Sequence, residues 1–262
     1  MRRREERSLS NLTRALTYLS LQVGSSDVET IEWDRNVVVK DLRDLCDRLD
    51  KDGFKLSYEN WCCASRSRAL PLCVRAHSLG LSPTGSTHAP TWKAVWGIVR
   101  DVDRDNMTVN LDTFQTAGSE WADPTRPSGL VDATSDAERE KRFQASLDEL
   151  SETVPAEKIG FLQLSDAYKV DPPLEDKTVD GLRPRGRWSH DFRPLPYGGG
   201  YLPVEQVTKA VLKTGWRGIL SVEVFDSGPE GKGKDGVRLD EFAREAASSV
   251  QRLLDACADD AT

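Results

Sequence analysis

Residues 107–118 read MTVNLDTFQTAG, and this stretch decides the fold that we expect for the chain. Val109 and Leu111 alternate with Asn110 and Asp112, which is the pattern of a short strand with two different faces. The strand ends on the acid Asp112, and a run of small residues follows. In a (β/α) barrel the loops after the strands form the mouth of the active site, so an acid at this point is a candidate for chemistry. The alternative is an acid that only caps the next turn.

Strand and helix patterns alternate along the rest of the chain. Further strands are predicted over residues 18–23, 54–58, 158–164 and 218–224, and helices over 37–49, 91–102, 137–150, 202–213 and 239–256. Such alternation is typical of an α/β fold with a parallel sheet or barrel. We expect a basic segment over 1–17, a barrel domain over 18–256 and a short tail over 257–262.

Two segments lack this periodicity. Residues 62–85 are rich in serine, arginine, proline and leucine and are longer than an ordinary connection, which indicates an irregular insertion, functional or disordered, and we favour disorder. Residues 170–200 are rich in proline, arginine and glycine and are predicted to form a long, lid-like loop.

Composition restricts the class of protein. The chain has 262 residues, 30% of them charged, and a net charge of -7, which argues against a nucleic-acid surface. No apolar run is long enough to cross a bilayer, and the basic start lacks the apolar core of a secretory signal. The five cysteines form no CxxC pair, which fits reduced thiols. We therefore expect a cytoplasmic protein that acts on a small molecule.

Four predicted strands end on or near a side chain that can bind a metal: Glu59, Asp112, Gln163 and Glu223. In a barrel these strand ends converge on one mouth, so distant residues meet there. Three carboxylates in one apolar mouth repel one another unless a positive charge lies between them. Oxygen ligands favour magnesium or manganese, with cobalt or zinc also compatible. The alternative is that each acid is a separate, solvated strand end.

Several motifs together resemble the xylose isomerase-like TIM-barrel superfamily, and within it the fungal 3-dehydroshikimate dehydratases. They are YENW at 58–61, NLDTFQTAG at 110–118, EWADP at 120–124, FLQLSDA at 161–167, GGGYLPV at 198–204 and GWRGILSVEVF at 215–225. The resemblance covers most of residues 18–256.

The resemblance implies a (β/α)8 barrel that holds a divalent cation. The ligands would be Glu59 on the fourth strand, Asp112 on the fifth, Gln163 on the sixth and Glu223 on the eighth; the dehydratase branch carries glutamine at the third of these positions. It implies a lyase in which the metal acts as a Lewis acid, a base removes the proton beside a ketone, and water leaves to give an aromatic ring.

Two further residues receive roles from the resemblance. His88 is the candidate acid/base, since an imidazole titrates near neutrality; the alternative is a cap for the helix that begins at 91. Arg193 is the candidate for gripping a substrate carboxylate with a two-pronged hydrogen bond; the alternative is a solvent-exposed side chain.

The chain departs from the family in three ways. The first two strand–helix units are missing, the irregular insertion resembles translated non-coding sequence, and Gln115 stands where the fungal enzymes have asparagine. Two alternatives therefore stay open beside the dehydratase. One is a metal-dependent sugar or hydroxyketone isomerase or epimerase on the same barrel, because fold alone does not fix the reaction. The other is an inactive, truncated barrel from a faulty gene model.

Overall fold

The predicted alternation of strands and helices is confirmed in the computed structural model, which describes residues 20–24, 33–62, 89–234, 236 and 238–258. The strands are β1 Ser20–Gly24, β2 Lys55–Glu59, β3 Met107–Asp112, β4 Ile159–Leu164, β5 Phe192–Arg193, β6 Ile219–Val222 and β7 Phe225–Asp226. The helices are α1 Arg35–Leu49, α2 Trp92–Val102, α3 Thr113–Glu120, α4 Asp136–Thr153, α5 Pro184–Asp191, α6 Val204–Lys213 and α7 Leu239–Ala258.

Several of the expected features cannot be compared with the structure. The basic segment 1–17, nearly all of the irregular insertion and His88 lie outside the described residues. Within those residues, none of the helices combines the length and the apolar character that a bilayer crossing needs.

Five strands form one parallel sheet in the order β1-β2-β3-β4-β6. The register pairs Glu59 with Asn110 and Asp112 with Gln163, so the carboxyl ends of neighbouring strands lie at the same edge. Strands β5 and β7 form a separate antiparallel ribbon in which Arg193 pairs with Phe225. The sheet is the wall of a half-barrel, and its helices connect successive parallel strands.

The helices bury their apolar faces against this sheet. Thr91 caps α2, since its hydroxyl accepts the Ala94 N–H at 3.3 Å, and Trp92, Val95 and Val99 are buried. Trp96 of the same helix is only partly buried. Full burial of an aliphatic side chain stabilises a fold by about 1.5–3 kcal/mol, so faces of this kind hold the half-barrel together.

Three short elements lie where the sequence predicted loops. Helix α3 begins directly after Asp112, and α5 occupies part of the predicted lid with Pro184 at its first position, where a proline ring fits the helix. The β5–β7 ribbon follows α5 and also falls on a predicted loop. The long loop over 170–200 is therefore partly regular structure.

The strand numbering implied by the resemblance is wrong for the described residues. Glutamine on the sixth strand and glutamate on the eighth require a strand between them. Instead β4 and β6 are hydrogen-bonded neighbours, with Gln163 opposite Ser221. The segment between them forms α5, β5 and α6, and none of these enters the main sheet. Gln163 and Glu223 are consequently closer together than a strand between them would allow.

Candidate metal centre

Three of the four predicted metal ligands meet at the carboxyl edge of the sheet. Glu59 ends β2, Asp112 ends β3 and Glu223 directly follows β6. One carboxylate oxygen from each lies within 4.8 Å of the others, and we name these residues the acidic cluster. Strands β2 and β6 are three positions apart, which is roughly 14 Å in a flat sheet. Their carboxylates meet because the sheet curves and both side chains point to its concave side.

Gln163, the fourth predicted metal ligand, lies beside the acidic cluster and hydrogen-bonds to Glu223. Its amide nitrogen donates to Glu223 Oε1 at 2.9 Å, and its amide oxygen accepts from the Asn110 side chain at 2.5 Å. Asn110 and Gln163 are both buried, on the neighbouring strands β3 and β4. The carboxamide therefore borders the acidic cluster with its nitrogen toward Glu223, and it would have to turn over to present its oxygen to a metal.

Asp112 caps the next helix, which was the alternative interpretation of its position, and it also lies in the acidic cluster. Its Oδ1 accepts the backbone N–H groups of Phe114 at 2.6 Å and Gln115 at 3.2 Å, which caps α3. Its Oδ2 accepts from Arg193 at 2.6 Å and belongs to the acidic cluster. The capping bonds fix the orientation of the carboxylate, so the start of α3 positions the site.

Arg193 lies inside the site, so its expected alternative of solvent exposure is wrong. Its side chain is 1% exposed, and its guanidinium contacts Asp112 Oδ2 at 2.6 Å and Glu223 Oε2 at 3.0 Å. Ser165 Oγ accepts two further bonds from the same guanidinium at 2.7 and 3.1 Å. Since these donors bond to protein groups, a grip on a substrate carboxylate by Arg193 stays a prediction.

Burial and mutual repulsion perturb the acids. Burial raises the pKa of the Glu59 carboxyl well above its ordinary value, and Asp112 and Glu223 raise it further, whereas Arg193 opposes the shift. Burial also raises the pKa of Glu223, with Asp112 as the next cause. A positive charge placed near Glu59 and Glu223 would therefore stabilise their ionised forms.

The acidic cluster fits a divalent cation. Three carboxylates face Arg193, the cationic side chain that contacts them among the described residues, so the ionised cluster is left with two excess negative charges. Glu59 Oε1 is buried and has no hydrogen-bond partner in the part of the chain that the structure describes. Buried oxygens without partners and an all-oxygen ligand set are what a hard cation such as Mg²⁺ or Mn²⁺ requires.

A divalent cation is expected to stabilise the protein. With free Mn²⁺ at about 100 times its dissociation constant, the free energy of unfolding should rise by about 2.7 kcal/mol, which is about 5 to 10 °C in Tm. The raised pKa values of Glu59 and Glu223 set the sign of the pH dependence. Protons compete with the metal, so the gain should shrink as the pH falls through these raised pKa values. Thermal melts at several pH values measure it.

The metal-free protein should show the opposite trend. A carboxyl whose pKa is raised by folding contributes stability at low pH, and this contribution is lost as the pH rises through the folded-state pKa.

The matched control for the metal-induced rise in stability is Glu223→Gln, in which one ligand is neutral. A metal-induced shift of equal size in this variant would show that the cation binds elsewhere.

Asp166 anchors a glycine-rich loop beside the site, a role that the sequence analysis did not identify. Its Oδ1 accepts the backbone N–H groups of Ala167 at 2.7 Å and Leu202 at 2.8 Å. Gly200 packs so closely on this carboxyl that a Cβ there would overlap it. The loop 196–203 is thereby held against the end of β4. The three consecutive glycines were the available signal, because close backbone approach requires a residue without a side chain.

Asp166→Asn is expected to be more stable than the unmodified protein above pH 6. Burial raises the pKa of Asp166 from 3.8 to about 6, although the backbone donors oppose the shift. The unmodified protein therefore loses up to about 3 kcal/mol as the pH rises from about 4 to about 6, and the amide, which keeps an acceptor for both backbone bonds, does not. Urea unfolding of both proteins at pH 4, 5, 6 and 7 tests this. A constant difference would contradict it.

His190, the one histidine among the described residues, lies in the last turn of α5 and is exposed. Its ring lies 6.3 Å from the ring of Trp61 and 6.3 Å from that of Phe225. No role was predicted for His190 from the sequence. It lies near the mouth because β5 and β7 bring α5 beside the end of β6.

Comparison with known families gives a match over nearly the whole chain. The sequence profile of the family described as xylose isomerase-like TIM barrel matches residues 14–254. A Neurospora crassa protein named 3-dehydroshikimate dehydratase is 35% identical over 158 residues, which are 55% of this chain and 42% of that protein. A Pseudomonas putida protein with the same name is 27% identical over 221 residues, which are 84% of this chain and 24% of that protein.

Solved structures show the same fold. A fusion protein of a xylose isomerase-like TIM barrel and 4-hydroxyphenylpyruvate dioxygenase superposes with a TM-score of 0.58 at 25% identity, over 95% of this chain and 30% of that one. A xylose isomerase domain protein from Salmonella typhimurium gives a TM-score of 0.55 at 16% identity, over 95% of this chain and 69% of that one. The chain spans less than half the length of the curated relatives it matches.

Proposed function

We propose that this chain, which belongs to the xylose isomerase-like TIM barrel family, is a divalent-metal-dependent dehydratase that converts 3-dehydroshikimate to 3,4-dihydroxybenzoate and water. The convergence of Glu59, Asp112 and Glu223 within 4.8 Å is the observation that carries the proposal. The name shared by the relatives from Neurospora crassa and Pseudomonas putida supports the choice of substrate.

The acidic cluster would hold the cation, with the Gln163 amide oxygen as a further ligand. A bound Mg²⁺ or Mn²⁺ supplies Lewis-acid stabilisation of the negative charge that develops when a proton leaves the carbon beside a ketone. Arg193 fixes two of the ligands, since it bonds to both Asp112 and Glu223. The protein thereby prepares the orientation of its ligands before the substrate arrives.

Apolar rings keep one side of the site dry. Phe114 and Trp188 are fully buried with ring centroids 4.8 Å apart, and the Arg193 guanidinium lies 4.5 Å from the Phe114 ring. The ion pairs of Arg193 therefore form in a region of low polarity, where charges interact more strongly than in water. This environment supports a site that stabilises charge during the reaction.

His88 is the proposed acid/base. It lies outside the described residues, one residue before Ala89, whose carbonyl accepts the backbone N–H of Trp61 at 3.1 Å. Trp61 itself is two residues from Glu59. This short connection to the acidic cluster supports the role, and an imidazole has a pKa suited to proton transfer near neutrality.

The isomerase alternative begins with the same proton removal and differs in the next step. In the dehydratase a hydroxyl group leaves, and in the isomerase a proton returns. Incubation with 3-dehydroshikimate and Mn²⁺ separates them, because only dehydration produces the ultraviolet band of an aromatic ring. We expect the band with the unmodified protein and its loss with Glu223→Gln. Absence of the band at saturating Mn²⁺ would overturn the proposal.

A further inference from the structure

Three aromatic rings lie next to one another near the ends of β2 and β6, and none has a role in the proposed function. Trp61 lies two residues after Glu59, and Phe225 lies two residues after Glu223. In extended backbone, residues two apart point to the same side. His190 lies between them, with its ring edge-on to Trp61 and stacked with Phe225 at an interplanar angle of 26°.

All three aromatic side chains are at least partly exposed to solvent. Phe225 is 46% exposed, His190 is exposed and Trp61 is partly buried. The Arg193 guanidinium lies 5.5 Å from the Phe225 ring, so the rings adjoin the ion pairs of the site. Exposed apolar groups collected at the rim of a polar site mark a place where a ligand binds.

One polar atom of this group makes no hydrogen bond within the described part of the chain. The Trp61 indole nitrogen is buried and makes no hydrogen bond to the residues that the structure describes. An indole N–H that is removed from water without an acceptor is unfavourable, by about the cost of a lost hydrogen bond. A ligand that presents an oxygen beside its ring would satisfy this donor.

We propose that Trp61, His190 and Phe225 form an aromatic wall that packs against the conjugated part of the ligand ring and selects unsaturated six-membered ring acids over open-chain sugars. The inference rests on the proposed function and adds the residues that set its specificity. Aromatic rings prefer offset or edge-on partners at about 4.5–7 Å, and a conjugated ring gains more from this geometry than a saturated ring, which offers only C–H groups.

The wall disfavours sugars for a second reason. An open-chain sugar carries a hydroxyl group on most of its carbon atoms and has no ring face of C–H groups, so several hydroxyls would lose water against the aromatic rings without gaining a hydrogen-bond partner. Polar groups buried in this way reduce affinity strongly. The wall therefore separates the dehydratase from the isomerase alternative at the binding step.

A matched pair of ligands tests the wall without reference to turnover. The aromatic member is 3,4-dihydroxybenzoate, and the saturated member is 3,4-dihydroxycyclohexanecarboxylate, which carries the same oxygens on a puckered ring. Calorimetric titration of the Mn²⁺-loaded protein gives both dissociation constants. In Phe225→Leu, which keeps the apolar volume, we expect affinity for the aromatic ligand to fall about fivefold and affinity for the saturated one to stay within twofold.

A second variant of the wall and a control variant accompany Phe225→Leu. His190→Leu changes an exposed residue, so it keeps the experiment valid if Phe225→Leu fails to fold, and it should show the same selective loss. Leu239→Ala alters a side chain that is 84% exposed at the start of α7 and should change neither affinity. Equal losses for the two ligands, or no loss for either, would overturn the wall.

Failure of the wall and failure of the proposed function give different results. If the unmodified protein forms the aromatic band from 3-dehydroshikimate and the variants bind both ligands normally, the wall is wrong and the dehydratase stands. If no band forms but Phe225→Leu selectively weakens the aromatic ligand, the function is wrong and the ring-binding site stands.

Discussion

Glu223→Gln is expected to dehydrate 3-dehydroshikimate about a thousandfold more slowly than the unmodified protein. The amide removes one of three carboxylates from the acidic cluster and leaves Arg193, whose guanidinium contacts Glu223 Oε2 at 3.0 Å, without one of its charged partners. Loss of metal-based stabilisation of transition-state charge costs several kcal/mol, and about 4 kcal/mol corresponds to a thousandfold change in rate.

The measurement is kcat/KM over a range of Mn²⁺ concentrations, together with the dissociation constant of Mn²⁺. Glu223 is partly exposed and follows the end of β6, so its replacement should leave the fold intact. The matched control is Glu152→Gln, the same chemical change at an exposed position on α4, which should keep full activity. If Glu223→Gln retained more than a tenth of the rate at saturating metal, Glu223 would not be a ligand.

Arg193→Met should lower the free energy of unfolding of the metal-free protein at pH 7 by about 3–5 kcal/mol, because removing one partner of a buried ion pair leaves the other charge uncompensated. Here two carboxylates, those of Asp112 and Glu223, lose their partner. The cost should decrease as the pH falls, because Glu59 and Glu223 have raised pKa values and take up protons first. Urea unfolding followed by circular dichroism measures both effects.

Two further variants isolate this cause. Arg244→Met removes an exposed arginine that pairs with Asp240 on α7, and such a surface pair contributes at most about 1 kcal/mol. The double variant Arg193→Met with Glu223→Gln should recover part of the lost stability, because one repelling charge is gone. A pH-independent loss, or no recovery in the double variant, would indicate that Arg193 acts through packing alone.

The sheet was predictable because its strands carry a local signal. Val109 and Leu111 alternate with polar residues that the barrel interior uses, and the carboxyl-terminal position of Asp112 follows directly from that register. The prediction that Glu59, Asp112 and Glu223 meet needed only the rule that parallel strands end at one edge. Gln163 came from the same strand-end pattern, and the resemblance to a family supported a glutamine at that position, which a search for acids alone would have omitted.

Helix α3 was not predictable from periodicity. Its first six residues are all buried, so it has no polar face to produce the helical alternation of apolar and polar positions. Threonine, alanine and glycine then resemble a loop. The helix forms because Asp112 caps it and because its surroundings bury it on all sides.

The burial of Arg193 depends on residues far away in the chain. Its partner Asp112 lies 81 positions earlier, and Ser165 lies 28 positions earlier. Arginine in a segment rich in arginine is usually solvated, and only the assembled site shows that two carboxylates compensate this one. The local sequence therefore indicated the carboxylates of the site but not the Arg193 guanidinium that pairs with two of them.

The curvature of the sheet links the shape of the fold to the affinity of its mouth. The carboxylates of Glu59, at the end of β2, and Glu223, directly after β6, come within 4.8 Å although β3 and β4 lie between these strands, so their approach depends on the curvature of the sheet. Flattening the sheet would draw these two carboxylates apart. A cation bound by both carboxylates would hold the two strand ends together. Binding of the cation would therefore stiffen the curved sheet, and a mutation that flattens the sheet would weaken binding of the cation.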